Sequence, residues 1–417
     1  MRKADVSLFL RLCLGSAVLM ACGPPDKGPQ AMPEGLWRVE FVVPGGMLPV
    51  SLELLRTADG LSAAFINGPE RVSVPRAIEQ GHRLELEFPA FNNRLVGEWN
   101  GNTLDGTLTL IKRGGVVQEI PFRARPGVEY RFVPRQSGAQ ADVSGRWAVT
   151  FVDEDGMETP AIGEFTQQGN GVLGTFLTET GDYRYLAGEL IGEQLLISTF
   201  DGAHLFLFAA RLDAGGDLRG DFWSGNAWHE TWTARRDPDA SLADAFAMTF
   251  LKPGYARLAF TFPDIEGKLV SLSDSRFAGK VVLVTLAGTW CPNCHDEARF
   301  LAPFYEAYRE QGLEVVALLY EHFDDFGQAA AQARKFRDEL GIEYPLLIAG
   351  YSDKQAATET LPMLNRVLAF PTTIFIDRNG EVRRIHTGFT GPGTGQHFEK
   401  FTAELEDYVQ SLLAGPS

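Results

Sequence analysis

Cysteine is scarce: the 417 residues include four, Cys13, Cys22, Cys291 and Cys294. Basic residues are in deficit too, 38 Lys plus Arg against 54 Asp plus Glu, for a formal net charge of -16 at pH 7. A surface of that sign repels nucleic acid and anionic lipid headgroups, so no nucleic-acid partner is expected and the charge serves solubility. A long apolar run is missing as well. The stretch Leu8 to Met20 near the start is interrupted by Arg11 and falls short of the roughly 20 residues that span a bilayer. The seven histidines show no ligand spacing, and two thiolates do not complete a closed four-ligand zinc site. No metal and no bound cofactor are expected.

The first residues instead have the layout of an export signal, with positive charge on Arg2 and Lys3 ahead of the apolar run. The run ends in Leu19-Met20-Ala21-Cys22, which resembles a bacterial lipobox. That resemblance implies cleavage before Cys22, lipid on Cys22 and export from the cytoplasm. Gly23 after the cysteine carries no inner-membrane retention signal, which favours the periplasmic face of the outer membrane. The expected layout is a signal peptide at 1–21 and a tether at 22–33, with a lipid anchor as the sole membrane attachment. With Cys13 removed and Cys22 lipidated, the folded region retains Cys291 and Cys294 alone. An exported protein without a disulfide framework that keeps one close cysteine pair is expected to keep it for chemistry.

What is present is ordinary globular composition, 45% hydrophobic and 22% charged, and a length suited to about two or three domains. From Gly35 to about Arg236 the chain shows short alternating runs such as Leu84-Glu85-Leu86-Glu87-Phe88, parted by Gly, Asn and Asp turns, which predict β-strands. The region repeats itself. Gly35 with Trp37 to Val42 returns as Gly145 with Trp147 to Val152, Pro49 and Phe65 as Pro160 and Phe176, Leu104-Asp105-Gly106 as Leu218-Arg219-Gly220, and Ala124-Arg125 as Ala234-Arg235. Two tandem β modules follow, at 34–136 and 142–236, as barrels or as halves of a sandwich. The Gly-x-Trp openings resemble the first strand of lipocalin-type barrels, but a Trp at a strand start reads first as core. A linker at 237–256, with a short helix, leads to the last domain at 257–415.

There the period changes. Val281 to Leu286 is a continuous apolar run suited to a strand buried on both faces, followed by TWCPNCHDE and a helix to about Gln311. Further strands are predicted near Leu313–Tyr320, Tyr344–Ile348, Thr373–Asp377 and Glu381–Thr387, with helices near Gln328–Leu340 and His397–Leu413. Strands alternating with helices give an α/β layer fold. The motif itself admits three chemistries: a redox dithiol, a c-type haem site with His295 proximal and Met363 or another Met distal, or half of a zinc cluster.

Gly288-Thr289-Trp290-Cys291-Pro292-Asn293-Cys294, with Phe370-Pro371-Thr372-Thr373 downstream and Phe262-Pro263-Asp264 upstream, resembles the thioredoxin superfamily in its exported TlpA/ResA-like branch. The fold class expected is therefore multidomain, an α/β thioredoxin-like fold preceded by an all-β region of two repeats. The resemblance implies a thiol-disulfide oxidoreductase acting on protein disulfides, supplied with electrons by an upstream thiol protein. It also implies a cis Pro371, a proton-handling Glu297 in C-x-x-C-x-x-E, and a substrate groove of Trp290, Pro292, Phe370 and Thr372. Thioredoxin's buried aspartate is replaced by Thr285, which puts more weight on Glu297. Independently, a cysteine at a helix start meets free N–H groups and the positive end of the helix dipole, which favours the Cys291 thiolate, while Cys294 is placed to resolve a mixed disulfide. His295, next along the helix, is expected to tune the thiols or to face solvent. Uncharged Pro292 and Asn293 predict a reducing pair. Other readings are an envelope-binding protein led by its β modules, a haem protein using Cys291, Cys294 and His295, and a peroxidase.

Overall fold

The computed structural model describes residues 31–135 and 141–415; the leader and Cys22 lie outside the described residues. The first unit is a curled antiparallel sheet of β1 (Gly35–Val43), β2 (Gly46–Thr57), β3 (Gly60–Asn67), β4 (Glu70–Ser73), β5 (Arg76–Gln80), β6 (Arg83–Phe88), β7 (Asn93–Trp99), β8 (Leu104–Ile111) and β9 (Val117–Pro126). Its order is β4-β3-β2-β1-β9-β8-β7-β6-β5, so β4 and β5 are edges and the sheet is open. The alternation seen in the sequence sets the faces: Leu84, Leu86 and Phe88 are buried, and Arg83, Glu85 and Glu87 are not.

The second unit closes on itself. It comprises β10 (Gly145–Val152), β11 (Glu158–Gln168), β12 (Gly171–Thr178), β13 (Gly181–Asp182), β14 (Leu186–Ile191), β15 (Gln194–Phe200), β16 (Leu205–Leu212), β17 (Leu218–Ser224) and β18 (Trp228–Arg236). The order runs β11-β10-β18-β17-β16-β15-β14-β12, and pairing of β11 with β12 completes a barrel, with the two-residue β13 alongside β12.

The repeat holds at the level of register. Phe65 lies opposite Leu52 and Phe176 opposite Gly163, while Leu104 and Leu218 face Ala124 and Ala234. Each opening Gly has positive φ, 102° at Gly35 and 109° at Gly145. Each following Trp is fully buried and donates its indole N–H to the carbonyl four residues back, Trp37 to Pro33 at 3.1 Å and Trp147 to Val143 at 2.9 Å. Both are core residues, as a strand-start Trp predicts.

The open sheet takes its missing core from the barrel. Phe200, at the end of β15, packs against Phe41, Phe65 and Phe88 at ring separations of 5.5, 4.7 and 5.6 Å, and Leu205 and Leu207 of β16 join the same cluster. Arg131, from the connection between the units, ties the seam by donating to Ser198 O at 3.0 Å and to Pro49 O at 3.4 Å. Truncating Phe200 therefore opens a cavity in the neighbouring unit. Phe200→Ala is expected to destabilise the β region by about 3–5 kcal/mol and to split its denaturant transition in two, read by near-ultraviolet circular dichroism.

After α1 (Ala245–Met248) and a small hairpin of β19 (Thr261–Pro263) and β20 (Leu269–Ser271), the third unit is a five-stranded sheet. Its members are β21 (Val281–Ala287), β22 (Leu313–Glu321), β23 (Leu346–Tyr351), β24 (Thr372–Ile376) and β25 (Val382–Thr387), in the order β23-β22-β21-β24-β25. The first three run parallel, β24 is antiparallel to β21, and β25 is antiparallel to β24. Every residue of β21 is buried, as the unbroken apolar run requires of a central strand covered on both faces. Around it stand α2 (Pro292–Tyr308), α3 (Phe326–Leu340), α4 (Lys354–Thr360) and α5 (Gln396–Leu413). The crossover from β21 through α2 sets the first turn of that helix at the carboxyl end of the sheet.

Candidate active site

Strand β21 ends at Ala287, and the chain turns at Gly288, where a Cβ would lie 2.9 Å from the Tyr320 carbonyl. The turn delivers Cys291 as the cap of α2, in extended conformation, with Pro292 in the first turn, where its missing N–H costs no bond. Sγ of Cys291 accepts the Cys294 N–H at 3.2 Å and approaches the Phe370 carbonyl at 3.3 Å. The Phe370–Pro371 bond is cis. Trp290, half-buried, meets Phe370 edge-on at 5.9 Å, donates its indole N–H to Tyr320 O at 2.9 Å, and stacks on His322 at 4.6 Å. Thr372 is fully buried and donates to Ala369 O at 2.9 Å, so it braces the proline loop from beneath. Trp290, Cys291, Pro292, Phe370, Pro371 and Thr372 thus come together, although they lie in two segments far apart in sequence.

Beneath the cysteines is Glu297. It is 4% exposed, one carboxylate oxygen accepting from the Thr285 hydroxyl and the other from Thr373. Burial pushes its pKa up to about 7 against the pull of these two bonds. Thr285, in the strand position noted above, thus serves to hold the glutamate. Cys294 is 1% exposed. Burial, then the bond and charge of Cys291, push its thiol well above the ordinary value, and negative charge on Glu297 adds to the shift. The arrangement can retain a proton next to a sulfur that does not readily lose its own.

Two further buried groups frame the loop. Glu321, the last residue of β22, accepts the Thr289 N–H at 3.0 Å and its hydroxyl at 2.6 Å, and burial lifts its pKa to about 7. Its sequence signal was a carboxylate closing an apolar run, Val315 to Tyr320, a position that reads as an ordinary strand end. His295 departs from the solvent-facing expectation. Its side chain is fully buried, stacked on Phe91 of the first unit at 4.0 Å and edge-on to Phe336 at 4.7 Å. Burial lowers its pKa to about 3, so it is neutral, and Nε2 donates to Thr289 O at 2.7 Å. That nitrogen is committed to a carbonyl rather than free for an axial bond, which weighs against the haem reading, and Met363 is packed in the domain core. Among the described residues no three His, Cys, Asp or Glu side chains are grouped to hold a metal ion.

A central strand leading into a helix capped by the first of two cysteines, opposite a cis-proline loop, defines a thioredoxin-like protein. A Redoxin family profile matches residues 252–403. The thiol-disulfide oxidoreductase ResA of Geobacillus thermodenitrificans (strain NG80-2) is 32% identical over 141 residues, which is 34% of this chain and 72% of that protein. ResA of Bacillus subtilis (strain 168) is 30% identical over 131 residues, 31% of this chain and 64% of that protein. Among solved structures, the thiol:disulfide interchange protein DsbE of Chlorobium tepidum aligns over 40% of this chain and 100% of its own, at 25% identity and a TM-score of 0.31. Through its C-terminal unit the chain belongs to the ResA-like branch of the thioredoxin superfamily, and it is a thiol-disulfide oxidoreductase. These matches leave the two β units without a counterpart.

Proposed function

We propose that the protein is a lipid-anchored periplasmic reductase of envelope-protein disulfides, working through Cys291 and Cys294. The observation that carries this reading is the position of Cys291 Sγ, at the helix start with the Cys294 N–H at 3.2 Å and the cis-proline loop carbonyl at 3.3 Å. The Cys291 thiolate attacks one sulfur of a client disulfide, and the other client sulfur leaves as a thiolate that takes up a proton. Cys294 then loses its proton to Glu297 and attacks the Cys291 sulfur, releasing the second client thiol and leaving a Cys291–Cys294 disulfide. A client disulfide and two protein thiols become two client thiols and one protein disulfide, and an upstream thiol protein restores the pair. Phe370 and Pro371 present the backbone edge on which an extended client lies. The Met1 to Cys22 leader supports the location, with lipid on Cys22 holding the protein at the outer membrane.

The test is trapping. Cells carrying Cys294→Ser should accumulate mixed disulfides at Cys291, cells carrying Cys291→Ser should not, and the additional change Cys22→Ser should move the trapped species from the membrane to the soluble fraction. Equal trapping by both cysteine variants would refute the assignment of roles.

A further inference from the structure

The turn between the two cysteines is covered by the β barrel. The segment Thr180–Tyr185, which includes β13, lies across Asn293 and the loop Gly388–Gly393. Asn293 Nδ2 donates to Asp182 O at 3.3 Å, and Gly391 N–H donates to the Asp182 carboxylate at 2.7 Å. The fit excludes side chains. A Cβ on Gly388 would lie 2.9 Å from the Thr180 backbone, one on Gly393 2.7 Å from Arg184, and one on Gly181 would collide with Asn293. Arg184 fastens the segment. With φ of 56°, a left-handed conformation that is unfavourable for any residue carrying a Cβ, it buries its guanidinium in an ion pair with Asp296 of α2. The same group reaches Glu70 of the first unit at 2.6 Å, Asp201 at 3.4 Å and the Pro292 carbonyl at 3.4 Å. All three units therefore meet at one cation, whose partner Asp296 lies two residues beyond Cys294. Cys291 is left 6% exposed and Asn293 8%.

Resting on the thiol–disulfide chemistry above, we propose that the Thr180–Tyr185 strap, held by Arg184, determines which disulfides reach Cys291: small or extended ones pass, and disulfides in folded proteins are excluded until the strap yields. A mixed disulfide brings the client Cα within about 7 Å of the Cys291 Cα, so the client chain must lie on the surface around the sulfur. On the Asn293, Asp296 and Gly391 side that surface is occupied by the strap. On the other side Phe370 and Pro371 are themselves buried and Trp290, stacked on His322, is half-buried, so the Trp290 edge is where the client meets the chain. A tripeptide disulfide fits such a half-groove, whereas a folded protein presents too broad a surface.

Reduction of glutathione disulfide and of insulin, a folded disulfide-bonded protein, is to be timed for the full chain, for Arg184→Gln and for Glu70→Gln. Removing a partner from a buried ion pair is costly enough that the insulin-to-glutathione rate ratio should rise about tenfold or more in Arg184→Gln. In Glu70→Gln, which loses one of several carboxylates, a rise of about threefold is expected. Glu70 lies on the first unit and carries the same readout if Arg184→Gln does not fold. A ratio equal to wild type overturns the strap, whatever happens to the absolute rates. A wild-type protein that reduces neither disulfide overturns the dithiol reading, and the strap with it.

Discussion

Glu297→Gln and Glu321→Gln are each expected to leave stability unchanged at pH 4.5 and to raise it by up to about 3 kcal/mol at pH 8. Both carboxyls are held near 7 by burial, against 4.5 as the ordinary value. Between those limits the folded protein keeps a proton that the unfolded chain has released. The stability each carboxyl contributes is therefore complete below 4.5 and lost as pH rises through 7, at about 1.4 kcal/mol per pH unit. Asp182, lifted to about 6 by burial, acts in the same direction. Buried histidines oppose them: His295 and His322 fall to about 3 and His386 to about 4. Their stability is lost as pH falls below the unfolded value of 6.5. The two sets offset each other under acid conditions, so the wild-type curve should be highest near pH 6.5. The glutamine variants remove the carboxylate share alone. Urea denaturation at the two pH values measures it, and equal stabilisation at both would point to packing and sink the buried-carboxyl account. Glu297→Gln should in addition erase an inflection near pH 7 in the rate of disulfide reduction, a cost in function that accompanies the gain in stability.

The β units show what pattern reading can reach. Strand alternation and the recurring Gly-x-Trp located two repeats whose equivalent residues do pair in equivalent register, because a one-residue slip would turn Trp37 or Trp147 out of the core. Closure was not legible. Whether an antiparallel sheet closes depends on the pairing of its end strands, and the sequences of β4 and β5 carry no sign that this pairing is missing from the first unit. Nor does Phe200 advertise that it completes a neighbour's core; on β15 it reads like any other inward-facing residue. In the last unit the strongly periodic elements were readable. The seven-residue α4, capped by Asp353, was too short to show a helical stripe.

The site divided in the same way. The placement of Cys291, Cys294 and the Phe370–Pro371 loop beside one another was legible because it follows from spacing within short motifs, and that of Glu297 through a resemblance that set it three residues beyond Cys294. Glu321, His295 and Arg184 gain their character from burial by segments from about 30 to just over 200 residues away along the chain, such as Phe91 on His295 and Glu70 on Arg184. Nothing local to Arg184 distinguishes it from the many surface arginines of the β region.

The reduction potential is expected at about -270 to -220 mV, far from the roughly -120 mV of a strong oxidase. An oxidising pair owes its potential to positive charge that stabilises the thiolates of the reduced state. Each charged group near these sulfurs argues otherwise. Pro292 and Asn293 bring none, and His295 stays neutral down to about pH 3. Arg184 is a cation within 3.4 Å of the Pro292 carbonyl, yet it is matched by Asp296, by Glu70 at 2.6 Å and by Asp201 at 3.4 Å. Glu297 is neutral below about pH 7 and negative above it, which further disfavours a Cys294 thiolate that burial has already made costly. The dithiol thus lacks the stabilisation that would make its disulfide a good electron acceptor. Equilibration in glutathione and dithiothreitol buffers measures the potential, and a value above about -180 mV would sink the reductase assignment while leaving the fold intact. Glu297→Gln removes a negative charge at pH 8 and none at pH 6. It should therefore raise the potential at pH 8, by about 30 mV for each 1.4 kcal/mol of repulsion relieved, and leave it unmoved at pH 6.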